Sequence, residues 1–179
     1  MRYCITDRRL IGVERAMADG VDFVQIREKE FSARELLALT RAVLALPNPH
    51  ATKIVVNTRM DVALAANAGG LHLPSGSIPP REWRAIAPPR FLIGVSCHST
   101  GEVREAERDG ADYVVFGPVF APISKSSDLA PRGLPGLSEA SRAVRIPVFA
   151  LGGVTDANAA ACIEAGAAGV AGISLFERR

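Results

Sequence analysis

Aromatic residues are scarce in this chain, with seven phenylalanines, two tyrosines and one tryptophan among 179 residues. Its core must therefore be mainly aliphatic, and with 48% apolar residues it has the composition of an α/β enzyme. Cysteine is scarcer still. Cys4, Cys97 and Cys162 are odd in number, far apart and without a CxxC pair, which argues against a zinc ribbon or a thioredoxin-type site. They read as reduced, mostly buried thiols of a cytoplasmic protein. No apolar run exceeds strand length, so nothing would span a bilayer, and "MRYCITDRRL" has no signal-peptide core. A net charge of +2 without a Lys- or Arg-rich run excludes nucleic acid and membrane as obvious partners. What remains is a small-molecule enzyme, short enough to be one domain, residues 1–179.

What is present is a repeat. "ADGVDFVQIR" (18–27), "NAGGLHLPS" (67–75), "RDGADYVVFG" (108–117) and "EAGAAGVAGIS" (164–174) each join a helix end, a glycine and a short apolar strand. "RYCIT", "TKIVVN", "RFLIGVS" and "IPVFALGG" add four more candidate strands. Helical spacing fills the gaps, as in "SARELLALTRAVLAL", whose Ser32 and Glu35 form a capping box. Strand and helix alternating eight times predict parallel strands with crossover helices, a small (β/α)8 TIM barrel. The sequence runs only five residues past Ser174, so the eighth helix is expected to be a stub.

The active site of such a barrel lies at the carboxyl ends of its strands. In the second strand the two-residue period turns Val24 and Ile26 outward and Gln25, Arg27 and Lys29 toward the interior and mouth. A small barrel normally fills that space with Val, Ile and Leu. An inward arginine needs an anionic partner: either an inward carboxylate or, as the better account, a ligand phosphate, diphosphate or carboxylate. The seventh and eighth strands end in Gly152-Gly153 and Ile173-Ser174, the place where barrels commonly hold phosphate, although the glycines could simply make a tight turn. In the fifth strand Ser96 and His98 share the inward set, and His98 stands at the rim as a candidate acid/base. Cys97 should point away from it. His50 reads as surface, and His72 is open between core and site. The Pro-, Gly- and Ser-rich stretch after the sixth strand is a candidate lid in which Ser124, Lys125 and Arg132 could close on an anion, with Asp128 a stray acidic group.

Together, "YCITDR", "VQIREKE", "VVNTRMDVALAANAGGLHL", "IGVSCHS", "GADYVVFGPVF", "PVFALGGV" and "GVAGIS" resemble, in order and spacing, the thiamine phosphate synthase and thiazole tautomerase superfamily of small barrels. The resemblance implies thiamine biosynthesis and a thiazole phosphate ligand bound by Gln25, Arg27, Lys29, Asn57, Ser96 and Lys125. It also implies phosphate held at Gly152, Gly153, Ile173 and Ser174. The synthase branch joins an aminopyrimidine methyl diphosphate to a thiazole phosphate. Its Mg²⁺ is held by an aspartate after the strand-three asparagine and an acidic residue after strand four. Here Asn57 matches the asparagine, but Thr58 and Pro74-Ser75-Gly76-Ser77 carry no carboxylate.

"LPSGS" with "VSCHS" is more similar to the tautomerase branch. The expected activity is accordingly a metal-independent thiazole tautomerase, aromatising a carboxythiazole phosphate with His98 as the proton carrier. No metal site and no cofactor are expected, Mg²⁺ entering only under the synthase alternative. A non-catalytic binder of thiazole or thiamine phosphates is the third reading, and barrels of this type often form a homodimer.

Overall fold

In the computed structural model, which describes residues 1–6, 10–121 and 129–176, eight parallel strands pair in chain order and close into a barrel. They are β1 (Arg2–Ile5), β2 (Phe23–Ile26), β3 (Lys53–Asn57), β4 (Gly70–Leu73), β5 (Leu92–Cys97), β6 (Tyr113–Phe116), β7 (Val148–Ala150) and β8 (Gly169–Gly172). Around them run α1 (Leu10–Ala18), α2 (Ala33–Leu44), α3 (Met60–Ala66), α4 (Pro80–Arg84), α5 (Thr100–Arg108), α6 (Gly133–Arg142) and α7 (Asp156–Glu164). The expected (β/α)8 architecture is the observed one. After β8 the described chain makes one 3₁₀ turn, Ser174–Phe176.

Local sequence accounts for the boundaries. Ser32 and Glu35 form the predicted capping box at the start of α2. The repeated phrase works through left-handed residues between helix and strand: Gly20, Gly110 and Gly166 have φ of 76°, 86° and 103°. In the second copy that conformation falls to Asn67, φ 56°, so Gly69 and Gly70 serve another purpose. An added Cβ on Gly70, an inward position, would meet the Leu92 carbonyl oxygen at 2.4 Å.

The apolar residues divide as a two-residue period requires. Val24, Ile26, Ile54, Val56, Leu71, Leu73 and Ile93 pack outward against the helices. Tyr3, Ile5, Val55, Tyr113, Val115, Phe149 and Ala171 fill the interior, with Phe23, Leu92, Leu151 and Ile173 against them. The interior therefore departs from the aliphatic filling expected. Both tyrosines and two phenylalanines meet inside it, Tyr3 lying 5.2 Å from Phe23 and 5.3 Å from Phe149 between ring centroids. Glycine on facing strands makes the room, above all Gly94 beneath the Tyr113 ring.

Among the described residues no helix is long and apolar enough to cross a membrane. All three cysteines are free thiols.

Candidate active site at the barrel mouth

A cavity of about 760 Å³ opens at the carboxyl ends of the strands. It brings together Gln25 from β2 with Arg27 and Lys29 just after it, Asn57 from β3, Ser96 from β5 with His98 just after it, and Ile173 after β8. Gln25 is buried, Arg27 half-buried and Lys29 exposed, a gradient from floor to rim. Among the described residues neither cation forms an ion pair. Of the two accounts of Arg27 drawn from the sequence, the pairing with an inward carboxylate is not found among the described residues.

Orientation at the β3 end comes from a chain of side-chain hydrogen bonds. Gln25 Nε2 donates to Asn57 Oδ1 at 2.9 Å, and Asn57 Nδ2 donates to Thr58 Oγ1 at 2.8 Å. Thr58 itself sits at φ 65°, a region that a β-branched residue rarely adopts. Its amide donates to the His72 carbonyl at 2.8 Å, and the Arg59 amide to the Asn57 carbonyl at 2.7 Å, which fix the turn.

His98 is half-buried at the rim, and its Nδ1 lies 2.5 Å from the Gly117 carbonyl oxygen. A carbonyl can only accept, so Nδ1 carries the proton and Nε2 is left as the basic nitrogen. The His98 amide donates to the Glu102 carboxylate at 2.9 Å, as does the Ser75 hydroxyl at 2.9 Å. Glu102 thus braces the loop after β4 against the end of β5. Cys97 points away into the outer core, and burial, with Glu102 and Glu105 nearby, pushes its thiol up to about 12. At neutral pH the thiol is therefore held protonated, the form that is a poor nucleophile.

Sequence reasoning left one polar residue here undecided and passed over two more. His72, left open between core and site, is buried at the cavity floor with Nε2 2.8 Å from Ser96 Oγ. Its Nδ1 faces Tyr3 and Tyr113 at 3.5 and 3.4 Å, and the two phenolic oxygens are 3.0 Å apart. Burial, then the charge of Arg27, depresses it to about 3, so the imidazole is neutral. Glu28 also lines the cavity. It follows the end of β2, where strict alternation stops, and it accepts the Thr6 hydroxyl at 2.8 Å. Glu102 is the third, and the Ser99-x-x-Glu102 cap at the start of α5 was the available signal.

Gly152 and Gly153 follow Leu151, which lines the cavity, at φ of 93° and 63°. Added Cβ atoms there would meet Pro118 at 2.6 Å and the Ala121 carbonyl oxygen at 2.4 Å, so close packing alone requires glycine at both positions. Arg132 is exposed at the start of α6, and His50 is on the surface as expected. Ser124, Lys125 and Asp128 lie outside the described residues, as does the Ser174 side chain.

The donor set does not fit the Mg²⁺ site that the resemblance implies. Thr58 offers a neutral hydroxyl already accepting from Asn57, and Ser75 directs its hydroxyl at Glu102. The first carboxylate after β3, Asp61 in α3, is paired with Arg59 at 2.5 Å. No group of three or more His, Cys, Asp or Glu side chains is disposed for a metal among the described residues.

Residues 2–176 match the thiamine monophosphate synthase family. The chain belongs to that family. It is 42% identical over 179 residues to the thiamine-phosphate synthase of Roseiflexus castenholzii, covering 96% of this chain and 78% of that protein. The thiamine-phosphate synthase of Moorella thermoacetica is 44% identical over 162 residues, covering 90% and 77%. Among solved structures, a thiamine phosphate pyrophosphorylase from Pyrococcus furiosus superposes with a TM-score of 0.87 at 34% identity, covering 98% of this chain and 90% of that one. Family membership agrees with the resemblance read from the motifs. The names of these relatives do not follow the tautomerase branch favoured from "LPSGS".

Proposed function

We propose that this chain is a transferase of thiamine biosynthesis, a thiamine-phosphate synthase that joins an aminopyrimidine methyl diphosphate to a thiazole phosphate and releases pyrophosphate. The observation that carries the reading is the likeness, along nearly the whole chain, to proteins bearing that name. The expectation of a tautomerase as the first activity is revised accordingly.

The geometry supports the transfer. A cavity of about 760 Å³ has room for two ring-bearing phosphorylated substrates side by side. Arg27 and Lys29 offer cationic donors just after β2, while Leu151 after β7 and Ile173 after β8 bring the far wall of the cavity, with Gly152 and Gly153 next in the chain to Leu151. As the bond to the diphosphate breaks, negative charge gathers on the leaving group, and the β2 cations stand where that charge is balanced. Gln25 and Asn57, aligned by their mutual hydrogen bond, and Ser96 on neutral His72 supply fixed polar groups for a heterocycle. His98 Nε2 is the group available to hold or move a proton.

A second reading, the metal-independent thiazole tautomerase, is favoured by one observation: the absence of carboxylates at Thr58 and across Ser75-Gly76-Ser77, joined to the open Nε2 of His98. One assay divides the two. The purified protein, given both synthase substrates and Mg²⁺ beside a synthase of known activity, is expected to release pyrophosphate in step with thiamine phosphate. Silence beside an active control, together with aromatisation of a carboxythiazole phosphate that is lost in His98→Asn, would replace the transferase by the isomerase.

A further inference from the structure

We infer that the β2–β3 side of this cavity binds a diphosphate through protein donors alone, with the Thr58 hydroxyl as a direct hydrogen-bond donor where the family resemblance places a metal-holding carboxylate. The choice of diphosphate as the anion rests on the transferase reading. The donor arrangement stands on the geometry.

Around this part of the mouth, the described carboxylates Asp61, Glu28 and Glu102 are already committed to donors. Asp61 accepts two hydrogen bonds from the Arg59 guanidinium, at 2.8 and 2.5 Å. Glu28 accepts the Thr6 hydroxyl, and Glu102 takes the Ser75 hydroxyl and the His98 amide. Arg27 and Lys29, in contrast, have no ionic partner among the described residues. A divalent cation placed here would face two uncompensated positive charges without a carboxylate pair to hold it. A diphosphate reverses the sign of both interactions, with the planar fork of Arg27 and the ammonium of Lys29 as complementary donors.

Thr58 completes the set. Its oxygen accepts from Asn57 Nδ2 at 2.8 Å, and among the described residues its hydroxyl proton goes to no acceptor, so it can be given to a ligand. The residue is exposed on the cavity wall. Its left-handed backbone, φ 65°, is unfavourable for a threonine, and two backbone hydrogen bonds hold it in that conformation. A strained residue with a directed polar group at a cavity wall is the pattern of a ligand contact. An aspartate here would present acceptors only, and would need a metal between itself and an anion.

The test is calorimetric titration of the full chain with inorganic pyrophosphate, in EDTA and again in Mg²⁺. Binding in EDTA within about threefold of that in Mg²⁺ is expected, and Thr58→Val, which keeps the β-branch and loses the proton, should weaken it about tenfold. Thr58→Asp should abolish binding in EDTA and regain it when Mg²⁺ is added. Unfolding temperatures of the variants show whether each is folded at the titration temperature. If the unaltered chain binds pyrophosphate only in Mg²⁺, or in neither condition, the inference is overturned. Equal affinity of a folded Thr58→Val overturns the role of the hydroxyl. The two proposals fail separately. Tight metal-free binding without pyrophosphate release removes the transferase reading and leaves this site. Turnover together with binding that requires Mg²⁺ does the reverse.

Discussion

Gly94→Ala is expected to destabilise the barrel by about 3 kcal/mol or more, through overpacking and loss of buried hydrogen bonds. Gly94 pairs with His72 on one side and Tyr113 on the other, and faces inward. A Cβ built there falls 2.0 Å from Tyr113 Cζ, 2.2 Å from Cε2 and 2.5 Å from the phenolic oxygen. The ring has nowhere to retreat. Phe23, Tyr3, Phe149 and His72 surround it at centroid distances of 5.2, 5.7, 5.8 and 5.9 Å. Displacing it also breaks the 3.0 Å bond to the Tyr3 hydroxyl and disturbs the contact with His72. Urea unfolding of Gly94→Ala, Tyr113→Leu and the double variant measures the effect. Removing the ring should relieve much of the alanine penalty, so the two losses should sum to more than the double variant shows. A Gly94→Ala protein within about 1 kcal/mol of the parent would mean that the interior repacks easily and that the aromatic cluster is not rigid.

That cluster also marks the limit of what the sequence discloses. The barrel is legible because its signals are local: a glycine or asparagine after the helical run in each copy of the repeat, the Ser32–Glu35 box, and apolar residues at a two-residue period. The same period puts Gln25 and Ser96 on the inward face of their strands, and Arg27 and His98, one residue past each strand end, continue the inward set and line the cavity. Glu28 escapes it by lying beyond Ile26, where the strand has ended. The environment of His72 is not local at all. The tyrosines facing its Nδ1 are 69 and 41 positions away, and closure of the barrel brings them together. The brace from Glu102 to Ser75 likewise spans 27 positions. The branch of the family is harder again. Thr58 and "PSGS" point away from a metal-dependent synthase, whereas likeness over the whole chain points toward the synthase. Residues that change a donor set do so without changing the frame, so neither signal contains the other.

A second large effect follows from the buried imidazole. In the unfolded chain His72 takes up a proton near pH 6.5; in the folded barrel burial, and then the charge of Arg27, hold it neutral down to about 3. Between those values the unfolded state binds the extra proton, so stability is fully present above pH 6.5 and is lost as the pH falls. The limiting slope is about 1.4 kcal/mol per pH unit, which amounts to about 2 kcal/mol between pH 6.5 and 5 and about 4–5 kcal/mol if the fold survives to pH 3. The upper interval separates this group from the carboxylates, since Asp61, held low by its hydrogen bond to Arg59, titrates only at more acid pH. His72→Gln retains an amide donor and acceptor for Ser96 and the tyrosines but has no proton to take up. It should be less stable than the parent at neutral pH, because a flexible amide packs less well between Tyr3 and Tyr113, yet nearly indifferent to pH from 6.5 to 5. Urea titrations at half-unit steps give both curves. Parallel slopes in parent and variant would show that His72 accepts its proton inside the barrel, and the neutral floor beneath Ser96 would then have to be abandoned.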